Sequence, residues 1–200
     1  SLALTGRKSV LEVGHMGFVT GLLDAVGAPE HIRPRLLTCI RNRTWHELRT
    51  CSGEAGLSAQ GTDALCRLGQ LSGSWDQVLE AAAPLALNGP MGAALEELKR
   101  LGAALETASQ TAGLAVNLSL VNDMEYYNGL VLQGCLAGLP RAVLQGGRYD
   151  PLAAQFRPGA RAIGFALYLD ELDRQRGDST TPAMLSVALP KGRLGDQVYQ

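Results

Sequence analysis

The chain has 200 residues, a formal net charge of −1 and a hydrophobic fraction of 46%. This length is enough for one sizeable core, or for one domain and a fragment of another. Because basic residues are not in excess, binding to nucleic acid through its phosphates has little support, and no apolar run is long enough to span a membrane. No signal peptide opens the chain and its four cysteines are widely spaced, so we expect a cytoplasmic protein with reduced thiols.

The first half of the sequence predicts one strand followed by helices. Residues 9–14 alternate as a strand, and residues 18–26 carry an apolar helical face that Gly27 ends. A second helix is expected over 29–48, with arginines on its outer side (Arg33, Arg35, Arg41 and Arg43). Such a group can meet phosphates, but a solvated helix face is the simpler interpretation.

Further helices are expected before the middle of the chain. Residues 58–71 are weakly amphipathic, and Ser74 with Gln77 resembles a capping box for a helix that Pro84 limits. Asn88-Gly89-Pro90 predicts a turn. The strongest amphipathic pattern covers 91–110, where apolar residues recur at steps of three and four.

The second half predicts strands joined by hairpins. Alternation around Val116 predicts a strand, and two more are expected over 130–134 and 142–145. A turn at 137–140 should pair these two strands in antiparallel fashion. After Asp150, the spacing of apolar residues from 162 to 172 predicts a buried helix stripe. Hairpin strands surrounded by helices indicate an α+β fold.

Tyrosines and glycines concentrate between residues 118 and 150. Tyr126 and Tyr127 precede Gly129, and the pair Gly146-Gly147 precedes Tyr149. Glycine permits positive φ or a close approach of the backbone to a ligand, so these bends predict a small-molecule pocket on a sheet. Tyrosine hydroxyls can bind an amine or a ring nitrogen, and Glu125 or Asp150 can pair with a cation. The alternative is that the rings only pack at strand ends.

No set of residues predicts catalysis or a metal site. His15 follows a strand and can act as an acid or base, but a single histidine is more often structural. Neither a Ser-His-Asp order nor a metal-ligand spacing is present. Residues 174–183 are typical of a linker, and 184–200 of a strand followed by a basic, glycine-containing loop that indicates phosphate binding only weakly.

Three motifs carry a family resemblance. VNDMEYYNG, GGRYDPL and AIGFALYLDEL resemble RGLDYYTG, GGRYDGL and AVGFAIGLERL of the histidyl-tRNA synthetase catalytic domain, and EVGHMGFVTGLLDAVG also matches that family. The resemblance covers about Leu11 to Arg174. It implies a partial class II synthetase-like domain over 1–173, an antiparallel sheet flanked by helices, without its N-terminal part.

Departures from the synthetase motifs concern ATP. The family's catalytic arginine falls on Asn122, the arginine that grips ATP falls on Glu171, and a small glycine falls on Tyr168. Losing two phosphate-binding cations removes transition-state stabilisation. The tyrosines that contact histidine map onto Tyr127 and Tyr149. The resemblance therefore implies histidine binding without activation, with site residues Tyr126, Tyr127, Gly129, Gly146, Gly147, Arg148 and Tyr149 and no catalytic residue, metal or cofactor.

This combination resembles the regulatory subunits of ATP phosphoribosyltransferase, which serve the first step of histidine biosynthesis and are related to the synthetases. The end of the chain, MLSVALPKGRLGDQVYQ, is similar to the beginning of the short-form catalytic subunit of the same enzyme. The resemblance implies that histidine is the effector, that the catalytic subunit is the partner and that the protein is oligomeric. The alternative is a fragment of a true histidyl-tRNA synthetase that performs ATP-dependent aminoacylation.

Overall fold

The computed structural model describes residues 8–107, 113–121 and 127–173. Its strands are β1 (Ser9–His15), β2 (Ser72–Gly73), β3 (Leu114–Asn117), β4 (Leu130–Leu136), β5 (Leu144–Arg148) and β6 (Ile163–Leu167). Its α-helices are α1 (Met16–Ala25), α2 (Arg33–Asn42), α3 (Trp45–Glu54), α4 (Ala59–Arg67), α5 (Trp75–Ala82), α6 (Gly89–Thr107), α7 (Asp150–Phe156) and α8 (Leu169–Asp173). Short 3-10 turns cover Glu30–Ile32, Leu68–Gln70 and Ala83–Leu85.

The strands form one sheet in the order β2-β3-β1-β4-β5-β6. β4 pairs antiparallel with both β1 and β5, and β5 pairs antiparallel with β6. β1 and β3 are parallel, with the helices α1 to α6 between them in the chain. The predicted α+β fold with a largely antiparallel sheet and flanking helices is confirmed, as is the hairpin between β4 and β5.

The core lies where α1 and α6 pack together beside the sheet. A Cβ on Gly21 of α1 would lie only 2.7 Å from the Met91 side chain of α6, so the absence of a side chain brings the two helices together. Around this contact the helices and strands share one continuous core, whose fully buried side chains are Val13, Met16, Phe18, Val19, Leu23, Leu36, Ile40, Leu48, Leu65, Leu68, Met91, Leu98, Val116 and Leu118. Within the described ranges, no helix is long and apolar enough to cross a membrane.

The single helix predicted over 29–48 is wrong. It is broken at Arg43, which has a φ of 56° in the left-handed region. The Arg43 amide donates to the Ile40 carbonyl and the Thr44 amide to the Cys39 carbonyl, at 3.1 and 2.9 Å. This paired hydrogen bonding is the Schellman arrangement that ends a helix, usually at glycine. Because an arginine occupies the glycine position, no residue type marks the break.

Two signals near helix starts have a different meaning in the structure. Asn88-Gly89-Pro90 is the beginning of α6 and not a separate turn: Asn88 Oδ1 accepts from the Met91 amide at 3.1 Å, and Asn88 Nδ2 donates to the Gly21 carbonyl at 2.6 Å. Ser74 precedes α5 as predicted, but its hydroxyl bonds to the Gln77 side chain at 2.7 Å instead of capping an amide. The helix is confirmed, whereas its capping box is wrong.

The buried helix stripe predicted for 162–172 is also wrong. Residues 163–167 form β6 at the edge of the sheet, and only Leu169–Asp173 is helical. Ile163, Phe165 and Leu167 alternate with small residues, which is the period of a strand. Their side chains are 58%, 69% and 39% exposed. The apolar residues that have helical spacing are a different set: Ala162, Phe165, Ala166, Leu169 and Leu172. The apolar run 162–167 is thus compatible with a helix or a strand, and its hydrogen-bonded pairing with β5 stabilises the strand.

Candidate functional site

Strand register gives the sheet two different faces. Val131, Gly147 and Gly164 lie opposite one another on β4, β5 and β6, so they share one face. A Cβ on Gly147 would lie 2.6 Å from the Tyr127 ring, and one on Gly164 would lie 3.0 Å from the Tyr149 hydroxyl. Both tyrosines therefore lie over neighbouring glycines on this face, which we call the tyrosine face.

The glycines of this site are needed because they leave room for neighbouring atoms, and not because the backbone has an unusual conformation. Gly146 and Gly147 lie within β5 and have no positive φ, so the prediction of a bend there is wrong. A Cβ on Gly147 would also lie 2.6 Å from the Leu130 carbonyl oxygen, and one on Gly146 would overlap the Gly164 carbonyl oxygen. Any side chain at either position would force neighbouring strands apart.

A row of polar side chains crosses the same face. On β4 and β5 it lies two residues along the strand from Val131 and Gly147, the pair next to the tyrosines. Glu12, Gln133 and Gln145 lie directly opposite one another on β1, β4 and β5. The Tyr168 hydroxyl donates to Gln145 Oε1 at 3.2 Å and extends the row to the edge of the sheet. These groups are partly exposed, so the face presents donors and acceptors to a ligand.

The opposite face, which we call the helix face, carries an ion-pair network. His15 ends β1, and its Nδ1 accepts from the Gly17 amide at 3.1 Å at the start of α1. Since an amide N–H only donates, the neutral ring carries its proton on Nε2 and donates it to Glu97 Oε2 at 3.0 Å. Glu97, on α6, also accepts from Arg148 Nη1 of β5. One carboxylate thus joins β1, α6 and β5.

Burial and charge set the ionisation of this network. Burial lowers the pKa of His15, against the opposing effects of its hydrogen bond to Glu97 and of that carboxylate's charge. Burial works to raise the pKa of Glu97, but the hydrogen bond from His15 and the charge of Arg148 together lower it. The network is therefore a neutral imidazole and an ionised carboxylate paired with a guanidinium.

The Arg148 guanidinium is held on the helix face. Its Nε lies 3.4 Å from Asp150 Oδ2, and a Cβ on Gly129 would overlap the guanidinium. Asp150 Oδ1 accepts from the Ala162 amide at 3.0 Å, so this carboxylate also ties α7 to the start of β6. Gly129 makes room for the arginine, and its carbonyl accepts from the Met16 amide at 2.8 Å. The structure separates the Arg148 side chain from the two tyrosines.

Two of the positions that depart from the synthetase motifs, Tyr168 and Glu171, lie among the described residues. Glu171 is only 6% exposed, and its Oε1 lies 3.4 Å from Arg141 Nη1. Tyr168 contributes its hydroxyl to the polar row. Asn122, Glu125 and Tyr126, together with 174–200, lie outside the described residues. At the position where the resemblance implies an ATP-binding arginine, the chain carries a buried carboxylate, a group that repels phosphate.

Sequence reasoning misses some residues of the site. Gly164 and Gln145 share the tyrosine face only because of strand register, and the assignment of β6 as a helix conceals Gly164. Glu97 looks like an ordinary polar residue of an amphipathic helix, and nothing local links it to Arg148, 51 residues away. A correct strand assignment for 163–167 would have placed Gly164 opposite Gly147.

Comparison with known proteins supports the synthetase-like architecture. A sequence profile of the family described as histidyl-tRNA synthetase matches residues 1–172. A protein of Geobacter sulfurreducens named ATP phosphoribosyltransferase regulatory subunit is 32% identical over 159 residues, which is 80% of this chain and 36% of that protein. The protein of that name from Anaeromyxobacter dehalogenans strain 2CP-1 is 34% identical over 174 residues, or 85% of this chain and 48% of the relative.

A solved structure shows the same relation in three dimensions. The structure from Bacillus halodurans, described as an ATP phosphoribosyltransferase regulatory subunit/histidyl-tRNA synthetase, superposes with a TM-score of 0.78 at 29% identity. The match covers 86% of this chain and 46% of that chain. The chain therefore spans about half the length, or less, of these relatives.

Proposed function

Because this chain belongs to the histidyl-tRNA synthetase family, we propose that it is part of a non-catalytic regulatory subunit of ATP phosphoribosyltransferase. In this role it senses histidine on the tyrosine face and assembles with the catalytic subunit in the first step of histidine biosynthesis. The names of the relatives from Geobacter and Anaeromyxobacter support the assignment. A biosynthetic role of this kind belongs to the cytoplasm.

The observation that carries the proposal is the buried carboxylate of Glu171. A synthetase must hold ATP, and the synthetase motif has an arginine at this position. A carboxylate in its place adds repulsion to the lost attraction, and burial strengthens both effects because the local dielectric constant is low. Arg141, whose guanidinium pairs with Glu171, is 71% exposed at its side chain and is already engaged with this carboxylate. The arrangement opposes amino-acid activation.

Histidine recognition is assigned to Tyr127 and Tyr149. Their position over Gly147 and Gly164 places two aromatic groups with hydroxyls side by side, and Gln145 lies on the same face. An imidazole can stack on such rings and exchange hydrogen bonds with hydroxyl and amide groups. The other residues assigned from the sequence have different parts: Gly147 leaves space for Tyr127 on this face, and Gly129 leaves space for Arg148 on the helix face. Gly146 allows β5 and β6 to lie close together, and Tyr126 stays a prediction.

A histidyl-tRNA synthetase is the second candidate, since the family profile and the description of the Bacillus halodurans structure both include that activity. A synthetase catalyses a histidine-dependent exchange of pyrophosphate into ATP. A regulatory subunit without amino-acid activation does not catalyse this exchange.

One experiment separates the two candidates. The full-length protein is mixed with the short-form catalytic subunit from the same organism, and ATP phosphoribosyl transfer is measured with and without L-histidine. We expect activity that depends on both proteins and falls when histidine is added, together with no pyrophosphate exchange by the full-length protein alone. Exchange without any effect on phosphoribosyl transfer would identify a synthetase.

A further inference from the structure

A concave region lies on the tyrosine face, at the β1 and β3 side of the polar row. It is a small cleft of about 100 Å³ lined by Glu12, Arg41, Arg43, Asn117, Ser119, Leu120, Val121 and Gln133. Gln133 and Gln145 are opposite each other, and Gln145 is two residues from Gly147, so the cleft lies about 7 Å or more from the tyrosine pair along the strands. Its size admits a small molecule and its lining is rich in polar groups.

A buried asparagine orients the Glu12 carboxylate of this cleft. Asn117 Oδ1 accepts from both the amide and the hydroxyl of Ser119, at 3.0 and 2.7 Å. Because the Ser119 amide can only donate, the amide group of Asn117 cannot be reversed, and Nδ2 must point toward Glu12. It donates to Glu12 Oε2 at 3.1 Å. The carboxylate is therefore held in place by one of its oxygens.

The second oxygen of Glu12 remains an acceptor for a ligand. No hydrogen bond or ion pair to Oε1 is found among the described residues. Gln133 stands opposite Glu12 on β4; its Nε2 donates to Cys135 Sγ at 3.7 Å, which leaves its amide oxygen as a second acceptor. Two oriented oxygen acceptors next to each other, one of them charged, are suited to an ammonium group or another cationic N–H donor.

Two arginines supply the opposite charge. Arg41 and Arg43 come from the end of α2 and line the cleft, and within the described part of the chain neither forms an ion pair. Three other arginines of the helical region have acidic partners: Arg33 pairs with Asp24, Arg35 with Glu54 and Arg49 with Asp63. Arg67 and Arg100 have no ion pair among the described residues either, but they do not line the cleft. Guanidinium groups without a carboxylate partner in a concave site are suited to an oxyanion.

We propose that this cleft binds a small zwitterion of the α-amino acid class, with its carboxylate on Arg41 and Arg43 and its ammonium group on Glu12 and Gln133. A phosphate fits less well, because the Glu12 carboxylate would face a ligand with roughly two negative charges. A simple cation would leave both arginines unused. The inference goes beyond the proposed function and does not rest on it.

The test uses the full-length protein and a panel of small ligands. Saturation-transfer NMR is run with each of the free L-amino acids except histidine, which we assign to the tyrosine face, and with acetate and methylammonium as partial probes. The best amino acid is then titrated by calorimetry, as are both partial probes and inorganic phosphate, which has no C–H proton for the NMR measurement. We expect at least one amino acid to bind, and acetate and methylammonium to bind at least tenfold more weakly than it does.

Variants locate the binding in the cleft. The double variant Arg41→Gln/Arg43→Gln and the single variant Glu12→Gln should each weaken amino-acid binding at least tenfold. The double variant Arg35→Gln/Arg49→Gln removes the same charge from the exposed surface and should bind normally. The proposal is overturned if no amino acid binds the wild type, if the cleft variants bind as well as the wild type, or if phosphate binds more tightly than every amino acid.

Discussion

The two faces of the sheet carry polar groups of opposite kinds. On the helix face, Glu97 is bonded to His15 and Arg148 at the same time, and the three groups join strands to a helix. On the tyrosine face, Glu12 and Gln133 keep oxygens that no described residue occupies, and they are partly exposed. The same strands thus carry a network that holds the fold together and a surface that is open to ligands.

This contrast separates charged groups that hold the fold together from charged groups that can bind a ligand. Arg148 and Arg43 are both arginines beside the sheet, but Arg148 has two carboxylates within 3.4 Å and Arg43 forms no ion pair among the described residues. Removing one partner of a buried ion pair destabilises a fold, whereas a charge without a partner is available for recognition. The following changes test this division, beginning with the largest expected effect.

Removal of the shared carboxylate should be the most damaging change. Glu97→Ala leaves His15 and Arg148 without their common partner in a half-buried site, and we expect it to lower the free energy of unfolding by about 2–3 kcal/mol. Urea denaturation measures this value. Glu96→Ala is the matched control, because Glu96 pairs with Lys99 on the surface. Equal effects at the two adjacent positions would contradict a structural role for the network.

A methyl group on the tyrosine face tests the steric role of glycine. Gly147→Ala would place a Cβ 2.6 Å from both the Leu130 carbonyl oxygen and the Tyr127 ring, and should destabilise the protein by about 1–3 kcal/mol while displacing the tyrosine. Gly92→Ala, on α6, has no atom within 4 Å of the new Cβ. It should stabilise the helix by about 0.5–1 kcal/mol. Thermal unfolding of both variants reports the contrast.

The neutral state of His15 predicts a dependence on pH. Because burial lowers its pKa below the unfolded value, the unfolded chain binds the proton first. The contribution of neutral His15 to the free energy of unfolding is fully present above about pH 6.5 and is lost as the pH falls below that value. For one proton, the free energy of unfolding falls by no more than about 1.4 kcal/mol per pH unit. Urea denaturation from about pH 7.5 to about 5.5 should show this loss.

Replacement of the histidine provides the comparison for that pH profile. His15→Gln should flatten the profile, because the glutamine side chain does not titrate. His31→Gln, at an exposed position, should keep the profile of the wild type. A profile that is equally steep in the His15 variant would assign the titration to another group.

The smallest effect is expected at the break between α2 and α3. Arg43→Gly relieves the left-handed conformation and should stabilise the fold by about 0.5–1 kcal/mol. If the cleft binds an amino acid through Arg43, the more stable variant binds it less tightly. Urea denaturation and calorimetry on the same sample compare the two quantities. A loss of stability would show that the arginine side chain contributes to packing.

The fold can be predicted from the sequence wherever local periodicity is unambiguous. β1, α1, α6 and the hairpin of β4 and β5 follow from apolar spacing and from glycine. β6 cannot be predicted in this way, because its five residues fit two periods and only pairing with β5 selects the strand. The break at Arg43 is hidden for a different reason, since the residue that adopts positive φ is not glycine.

The site can be predicted in part, within the same physical limits. Tyr127, Tyr149 and Gly147 stand out because they belong to recognisable motifs, and the structure brings them together on one face. The same motifs group Arg148 with them by proximity in sequence. A strand, however, turns alternate side chains to opposite faces, and Arg148 therefore points to Glu97. A contact across 51 residues leaves no local signal in the chain.

Titration calorimetry of L-histidine into the full-length protein tests the central claim, that the tyrosine face is a histidine site. We expect saturable binding that weakens about tenfold or more in Tyr127→Phe and Tyr149→Phe, since each loses one hydroxyl contact to the ligand. Tyr199→Phe provides a control for the same chemical change at a tyrosine that belongs to neither motif. Absence of histidine binding, or equal affinity in all three variants, would contradict a histidine site on the tyrosine face.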